Sequence, residues 1–209
     1  MNTQKPYLLV VEDIPDILKL LEATLTFKGH RVVTARNGEE ALEAIDRERP
    51  ALVITDILMP RMDGFSLVHR LRINPETRDI PVVFLSATYV APEDKAFALT
   101  IGVTRFIEKP VALNEFVPII EKILEQGAPA TQETINDIDF YDGYRKRLEI
   151  KLNQKITQIA RDERLLETLS EEEKASFRAS LQLAVSERDE IKQLLDQIDQ
   201  QIDKFSKTD

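Results

Sequence analysis

The 209-residue chain has no cysteine and no tryptophan, and only two histidines, His30 and His69. Lack of cysteine excludes disulfides, thiolate catalysis and cysteine-ligated zinc, and two isolated histidines argue against an imidazole-rich metal site. No uninterrupted apolar run approaches the ~18 residues needed to cross a bilayer. Residues 1–6 are polar and lead directly into a strand-like run, without the apolar h-region of a secretory signal. Basic residues are in deficit, giving a net charge of −9, which argues against general affinity for nucleic acid or anionic lipid. What is present, 43% hydrophobic and 31% charged residues, suits one or two compact domains with a sizeable core. A cytoplasmic protein with no membrane partner is the expectation.

The composition changes at Gly127-Ala128-Pro129-Ala130-Thr131-Gln132-Glu133, where small residues and a proline predict a linker. We divide the chain into a domain over 1–126, a linker over 127–137 and a second domain over 138–209. In the first, β-branched runs alternate with amphipathic stretches. Strands are predicted at Tyr7–Val11, Arg31–Ala35, Ala51–Thr55, Val82–Ser86 and Arg105–Ile107. Helices are predicted at Ile14–Lys28, Glu39–Glu48, Phe65–Arg72, Pro92–Thr100 and Leu113–Gln126. Three of the strands are continuous apolar runs, the pattern of a parallel sheet covered on both faces. Lys28-Gly29, Asn37-Gly38, Ile101-Gly102 and Lys109-Pro110 punctuate the helices. Five such repeats imply a small doubly wound α/β domain with a parallel sheet. Pro118 is expected within about the first turn of the fifth helix, where a missing N–H costs little.

The second domain has no strand pattern. Ser170 and Glu173 fit a capping box. From there Phe177, Leu181, Ala184, Arg188, Ile191, Leu195, Ile198, Ile202 and Phe205 follow a 4-3 spacing broken only by Arg188, which is a heptad seam. Upstream, Tyr141, Tyr144, Leu148, Leu152, Ile159, Leu166 and Leu169 form a looser stripe. Folding back at Ser170 pairs Leu166 with Leu181, Leu152 with Leu195 and Tyr141 with Phe205, so an antiparallel helical hairpin (coiled coil) is predicted. Its longer arm would span roughly 50 Å.

Ligands of an open α/β sheet bind beyond the carboxyl ends of its strands. There the sequence places Glu12 and Asp13, then Asp56, then Ser86, Ala87 and Thr88, and lastly Lys109 and Pro110. Three clustered carboxylates repel one another unless a cation sits among them. All-oxygen ligands favour a hard ion, Mg²⁺ or Mn²⁺. A lysine and a hydroxyl beside such a site suit a phosphoryl group.

In these residues the chain resembles the receiver domain of two-component response regulators. The match covers Glu12-Asp13, Asp56 followed by Met59-Pro60 and Asp63-Gly64, Ser86-Ala87, Phe106, and Lys109-Pro110. The resemblance implies a flavodoxin-like fold and a phosphoacceptor signalling protein, not an enzyme acting on another substrate. It implies that Asp56 takes a phosphoryl group from a sensor histidine kinase. Glu12, Asp13, Asp56 and the backbone carbonyl of Leu58 would hold Mg²⁺. Lys109 and Ser86 would contact the phosphate, and Phe106 would be the aromatic of the switch. Two residues after Asp56 lies Leu58, and two after Ser86 lies Thr88. Neither is well suited to orient a hydrolytic water, so slow self-dephosphorylation is expected.

Taken singly, these residues have plain structural readings: Asp56 as a turn residue, Lys109 as a solvated charge, Phe106 as core, Ser86 as a cap. Their convergence on one rim argues against coincidence. Elsewhere, Arg145-Lys146-Arg147, Lys151 and Lys155 form a basic cluster beside Tyr141 and Tyr144, read as a solvated helix face in preference to a nucleic-acid contact. Arg188 either pairs with Asp162 across the hairpin or snorkels to solvent. Met59 and Met62 are expected to pack, and His30 and His69 to lie at the surface. The hairpin has no histidine, which excludes phosphotransfer through it. The expected output is dimerisation, with Leu183, Leu194, Ile156 and Leu165 as a second apolar surface, or binding of a downstream protein. The alternative is a transcriptional regulator that uses the basic cluster on DNA.

Overall fold

The computed structural model describes residues 6–86, 92–126, 135–168 and 171–206, with backbone alone at 171–173, 175, 176, 179 and 204–206. Two compact units divide between Ile135 and Asn136. The first unit runs β1 (Tyr7–Val11), α1 (Pro15–Phe27), β2 (Arg31–Ala35), α2 (Gly38–Arg47), β3 (Leu52–Asp56), α3 (Gly64–Ile73), β4 (Val82–Ser86), α4 (Pro92–Thr100), β5 (Arg105–Glu108) and α5 (Leu113–Gln126). The sheet is parallel throughout, in the order β2-β1-β3-β4-β5. That is the flavodoxin-like order, with its switch point between β1 and β3.

Burial explains the strand pattern. The runs of β1, β3 and β4 are covered on both faces and buried almost throughout, while the edge strands β2 and β5 are more open. On one face Leu8, Val10, Leu52, Ile54, Val83 and Leu85 pack against α1 and α5 through Leu18, Leu21, Leu25, Phe116 and Ile120. The opposite face includes Phe84, whose ring meets Phe65 of α3 edge-on at 5.1 Å. Pro15 stands in the first turn of α1, and Asn37 caps α2 by accepting from the Glu40 N–H at 3.0 Å.

Several expectations need correction. Pro118 is the sixth residue of α5, in the second turn, where its ring removes an internal hydrogen bond. His69 is buried on α3 at 2% exposure, not at the surface, and His30 is partly buried. β3 extends one residue further than predicted because Asp56 remains in the ladder opposite Leu85. The linker residues 127–133 and the capping Ser170 lie outside the described residues.

The second unit is α6 (Asp137–Leu166) packed on α7 (Glu171–Ser206). Asn136 caps α6 through the Asp139 N–H at 2.9 Å. Ion pairs cross in the antiparallel sense, Arg145 to Asp199 at 2.8 Å and Lys155 to Glu187 at 2.6 Å. The seam contains Tyr141, Tyr144, Leu148 and Ile159 with Ala184, Ile191 and Ile198, and also Phe140 and Leu194. Leu194, expected on a second surface, therefore belongs to the seam. Arg188 pairs with its neighbour Asp189 at 2.7 Å and not with Asp162. Asp162 is buried and is held by Arg161 at 3.3 Å. Leu169 and the Phe205 side chain are outside the described residues.

Candidate functional site

The carboxyl ends of β1, β3, β4 and β5 form one rim because all strands run the same way. β1 stops at Val11, and the next residue, Glu12, is fully buried while its N–H bonds the Ala35 carbonyl at 3.1 Å. Asp13 follows, half-buried. Asp56 closes β3, and its Oδ1 accepts from the Ile57 N–H at 2.6 Å. Lys109 follows β5, anchored by its N–H on the Ser86 carbonyl at 2.9 Å. From there its ammonium reaches both Asp56 Oδ2, at 2.5 Å, and Glu12 Oε2, at 2.7 Å. One oxygen from each of Glu12, Asp13 and Asp56 lies within 4.8 Å of the others.

The electrostatics are those of a site short of positive charge. Burial pushes the Glu12 carboxyl above its ordinary pKa; the Lys109 bond works the other way, and Asp56 repels it further. The Asp13 carboxyl is raised too, by burial and then by Asp56. Burial alone would lower the Lys109 ammonium, but Asp56 and Glu12 together outweigh it and hold its pKa up. One ammonium thus serves three carboxylates. A hard divalent cation fits this set, since it supplies the missing charge to oxygen ligands.

Around these groups, Ser86 is buried at the end of β4. Phe106 of β5 is half-buried, with its ring 6.3 Å from Phe84 and the Lys95 ammonium 5.8 Å from its centre. Leu58 is half-buried in the β3–α3 loop. Ala87 and Thr88 lie outside the described residues. Two supporting residues, Asp63 and Gly64, enter the sequence resemblance only as parts of its pattern. Asp63 is buried and caps α3, accepting from the Ser66 N–H at 3.0 Å and its hydroxyl at 2.6 Å. Gly64 sits so close to β3 that a Cβ would stand 2.4 Å from the Asp56 carbonyl oxygen. The Asp-x-x-Ser spacing could have revealed the cap; the close approach of Gly64 has no local signal.

A family profile described as "Response regulator receiver domain" matches residues 8–121. The transcriptional regulatory protein GlrR of Escherichia coli (strain K12) is 40% identical over 134 residues, covering 64% of this chain and 29% of that protein. The probable transcriptional regulator ycf27 of Pyropia yezoensis is 36% identical over 131 residues, 63% of this chain and 52% of its own length. The chain thus spans about half or less of the length of these curated relatives. Among solved structures, a putative response regulator from Chloroflexus aurantiacus is similar with a TM-score of 0.53 and 33% identity, covering 58% of this chain and 99% of that one. The chemotaxis response regulator CheY4 of Vibrio cholerae gives a TM-score of 0.54 and 28% identity, covering 57% and 99%.

Proposed function

The chain belongs to the response regulator receiver family, and from that footing we infer that Asp56 accepts a phosphoryl group from a sensor histidine kinase in a magnesium-dependent transfer. The observation that carries this reading is the Lys109 ammonium bridging Asp56 and Glu12 inside a cluster of three carboxylates. Glu12, Asp13, Asp56 and the Leu58 carbonyl would hold the ion. Bound there, Mg²⁺ offsets the negative charge of the phosphoryl oxygens. A carboxylate oxygen of Asp56 forms the new P–O bond as the P–N bond of the phosphohistidine breaks, and the imidazole leaves with the electron pair. Lys109 then turns from the Asp56 carboxylate to a phosphoryl oxygen, Ser86 donates its hydroxyl to another, and Phe106 responds as the switch aromatic. The protein promotes only its own phosphorylation and dephosphorylation.

Acetyl phosphate with Mg²⁺ should add one phosphoryl group to the full chain by intact mass, and Asp56→Asn should abolish it. A variant modified as well as wild type would falsify the assignment. In the same assay Leu58→Asn should shorten the lifetime of the adduct, because an amide at that position can orient a water that an isobutyl group cannot; Thr88 is assigned the same tuning role.

For the output we take the hairpin over 138–209 to act by dimerisation or by binding a downstream protein, in the cytoplasm. No helix among the described residues is long and apolar enough to cross a membrane. A DNA-binding output has one support, the naming of relatives as transcriptional regulators. Against it, Tyr141 and Tyr144 are buried beside Phe140 and so withdrawn from stacking on bases. Arg145 and Lys155 are engaged with Asp199 and Glu187. Residues 127–209 carry a net charge of −5. Retention of DNA at low salt, lost as salt rises, would favour the regulator reading over the protein-binding one.

A further inference from the structure

The carbonyl of Leu58 lies in the loop between β3 and α3, which has no ladder or helix of its own to fix it. At its base the Gly64 N–H bonds the Ile57 carbonyl at 2.8 Å. Further along, the Met62 N–H closes a tight turn on the Pro60 carbonyl at 2.8 Å, and Arg61 between them takes a left-handed backbone with φ of 65°. A non-glycine residue keeps that conformation only where its surroundings impose it. Here the surroundings are the first turn of α2. The Gly38 N–H donates to the Met62 carbonyl at 2.9 Å, and the Met62 side chain lies directly over Gly38. A Cβ built on Gly38 would stand 2.5 Å from Met62 Cγ, 2.8 Å from Sδ and 2.9 Å from Cβ. Arg61 also faces Glu40 at 3.9 Å, and Glu40 belongs to the α2 cap through the Asn37 side chain and the Arg36 N–H. The chain therefore reserves an empty place at residue 38 for the tip of the loop that starts at the candidate metal site.

We propose that Gly38 is a positioning residue for the metal and phosphoryl site: its lack of a side chain seats Met62 on α2 and so fixes the β3–α3 loop that presents the Leu58 carbonyl. This rests on the reading of Glu12, Asp13, Asp56 and Leu58 as the ion's ligands. A methyl group at residue 38 would push Met62 away, release the Arg61 turn and displace the loop. A merely structural role predicts a different outcome. Gly38 is the first residue of α2, and alanine is the better helix former, so a variant without the steric effect should fold at least as well and bind metal as before.

The test is direct binding of Mg²⁺ to the full-length protein by calorimetry, repeated with Mn²⁺ by electron paramagnetic resonance of the free ion. Gly38→Ala should bind about tenfold more weakly than wild type, the scale on which groups supporting a ligand act. Adding Met62→Ala removes Cγ and Sδ, the two closest atoms, and leaves Cβ at 2.9 Å, so it should recover part of the loss, up to the affinity of Met62→Ala alone. Circular dichroism identifies the variants that have kept their fold, and Met62→Ala alone reports the loop without the clash. Unchanged affinity in Gly38→Ala, or no recovery in the double variant, overturns the proposal and leaves the metal site standing. Wild-type protein that binds neither ion overturns both.

Discussion

Lys109 carries more than its charge. Its side chain is 12% exposed, and its ammonium holds two carboxylates, one of them the fully buried Glu12. Removing it leaves Glu12 with a buried negative charge and, among the described residues, only a 3.4 Å side-chain contact from the Ile14 N–H. Lys109→Ala should therefore cost about 1–3 kcal/mol near pH 7, the scale for orphaning a buried polar partner. The sign with pH follows from the shifts. In wild type the Lys109 pKa is raised, so its contribution is complete below the ordinary lysine value of 10.5 and is lost as pH climbs through the raised one. Glu12 and Asp13 are raised carboxylates, so the native state binds their protons more readily than the unfolded chain. Without the ammonium they rise further. The deficit of Lys109→Ala should then shrink as pH falls from 7 toward 5, as those carboxylates neutralise, and urea unfolding at three pH values measures it. A deficit independent of pH in that window would mean that the lysine acts through packing and not through charge.

Two helices show what a local sequence can and cannot disclose. α1 and α4 end in the same way, each with a glycine in the left-handed region. The Gly29 N–H bonds Thr26 O and the His30 N–H bonds Leu25 O; the Gly102 N–H bonds Leu99 O and the Val103 N–H bonds Ala98 O. These are Schellman endings, with φ of 88° and 89°, and Lys28-Gly29 and Ile101-Gly102 announce both in the sequence. Their surroundings differ. A Cβ on Gly29 meets nothing within 4 Å, whereas one on Gly102 would stand 2.7 Å from Arg72 Nε. Arg72 is buried, donates from Nη2 to the Gly102 carbonyl at 2.7 Å, and has its pKa pulled down to about 10 by burial. Gly29→Ala should cost about 1–2 kcal/mol, the left-handed penalty alone. Gly102→Ala should cost more, because the tie from α3 to the start of β5 is disturbed as well. Equal costs by thermal or urea unfolding would show that Arg72 yields freely. The motif is legible because it is local. The Arg72 contact joins residues thirty positions apart and depends on the path of the chain. The same holds for the site: Glu12, Asp13, Asp56 and Lys109 could be named because each lies at or just beyond the carboxyl end of a predicted strand, while Asn37-Gly38 could be read as a helix start but the seating of Met62 on Gly38 left no mark in the sequence.

At the scale of the whole molecule, the receiver's strands were readable because burial on both faces demands unbroken apolar runs, and the hairpin was less so. The 4-3 template put Arg188 in the seam and Leu194 outside it. A straight helix drifts from a 3.5-residue repeat; Leu194 is buried, Leu195 is half-buried, and Arg188 turns to Asp189. With Leu194 absorbed, the apolar residues left outward are fewer, yet Leu183 is 62% exposed on α7, and Ile150, Ile156 and Leu165 on α6 range from 42% to 56%. A two-helix unit has one seam, and pairing two hairpins into a four-helix bundle is a common way to cover what remains. The full chain should accordingly sediment as a homodimer at tens of micromolar. Leu183→Glu should shift it toward monomer without loss of helical content, since the side chain is already solvated within one hairpin. A wild-type monomer with its helices intact, or a Leu183→Glu variant that dimerises as tightly as the parent, would remove the bundle and leave the hairpin to act as a surface for a different protein.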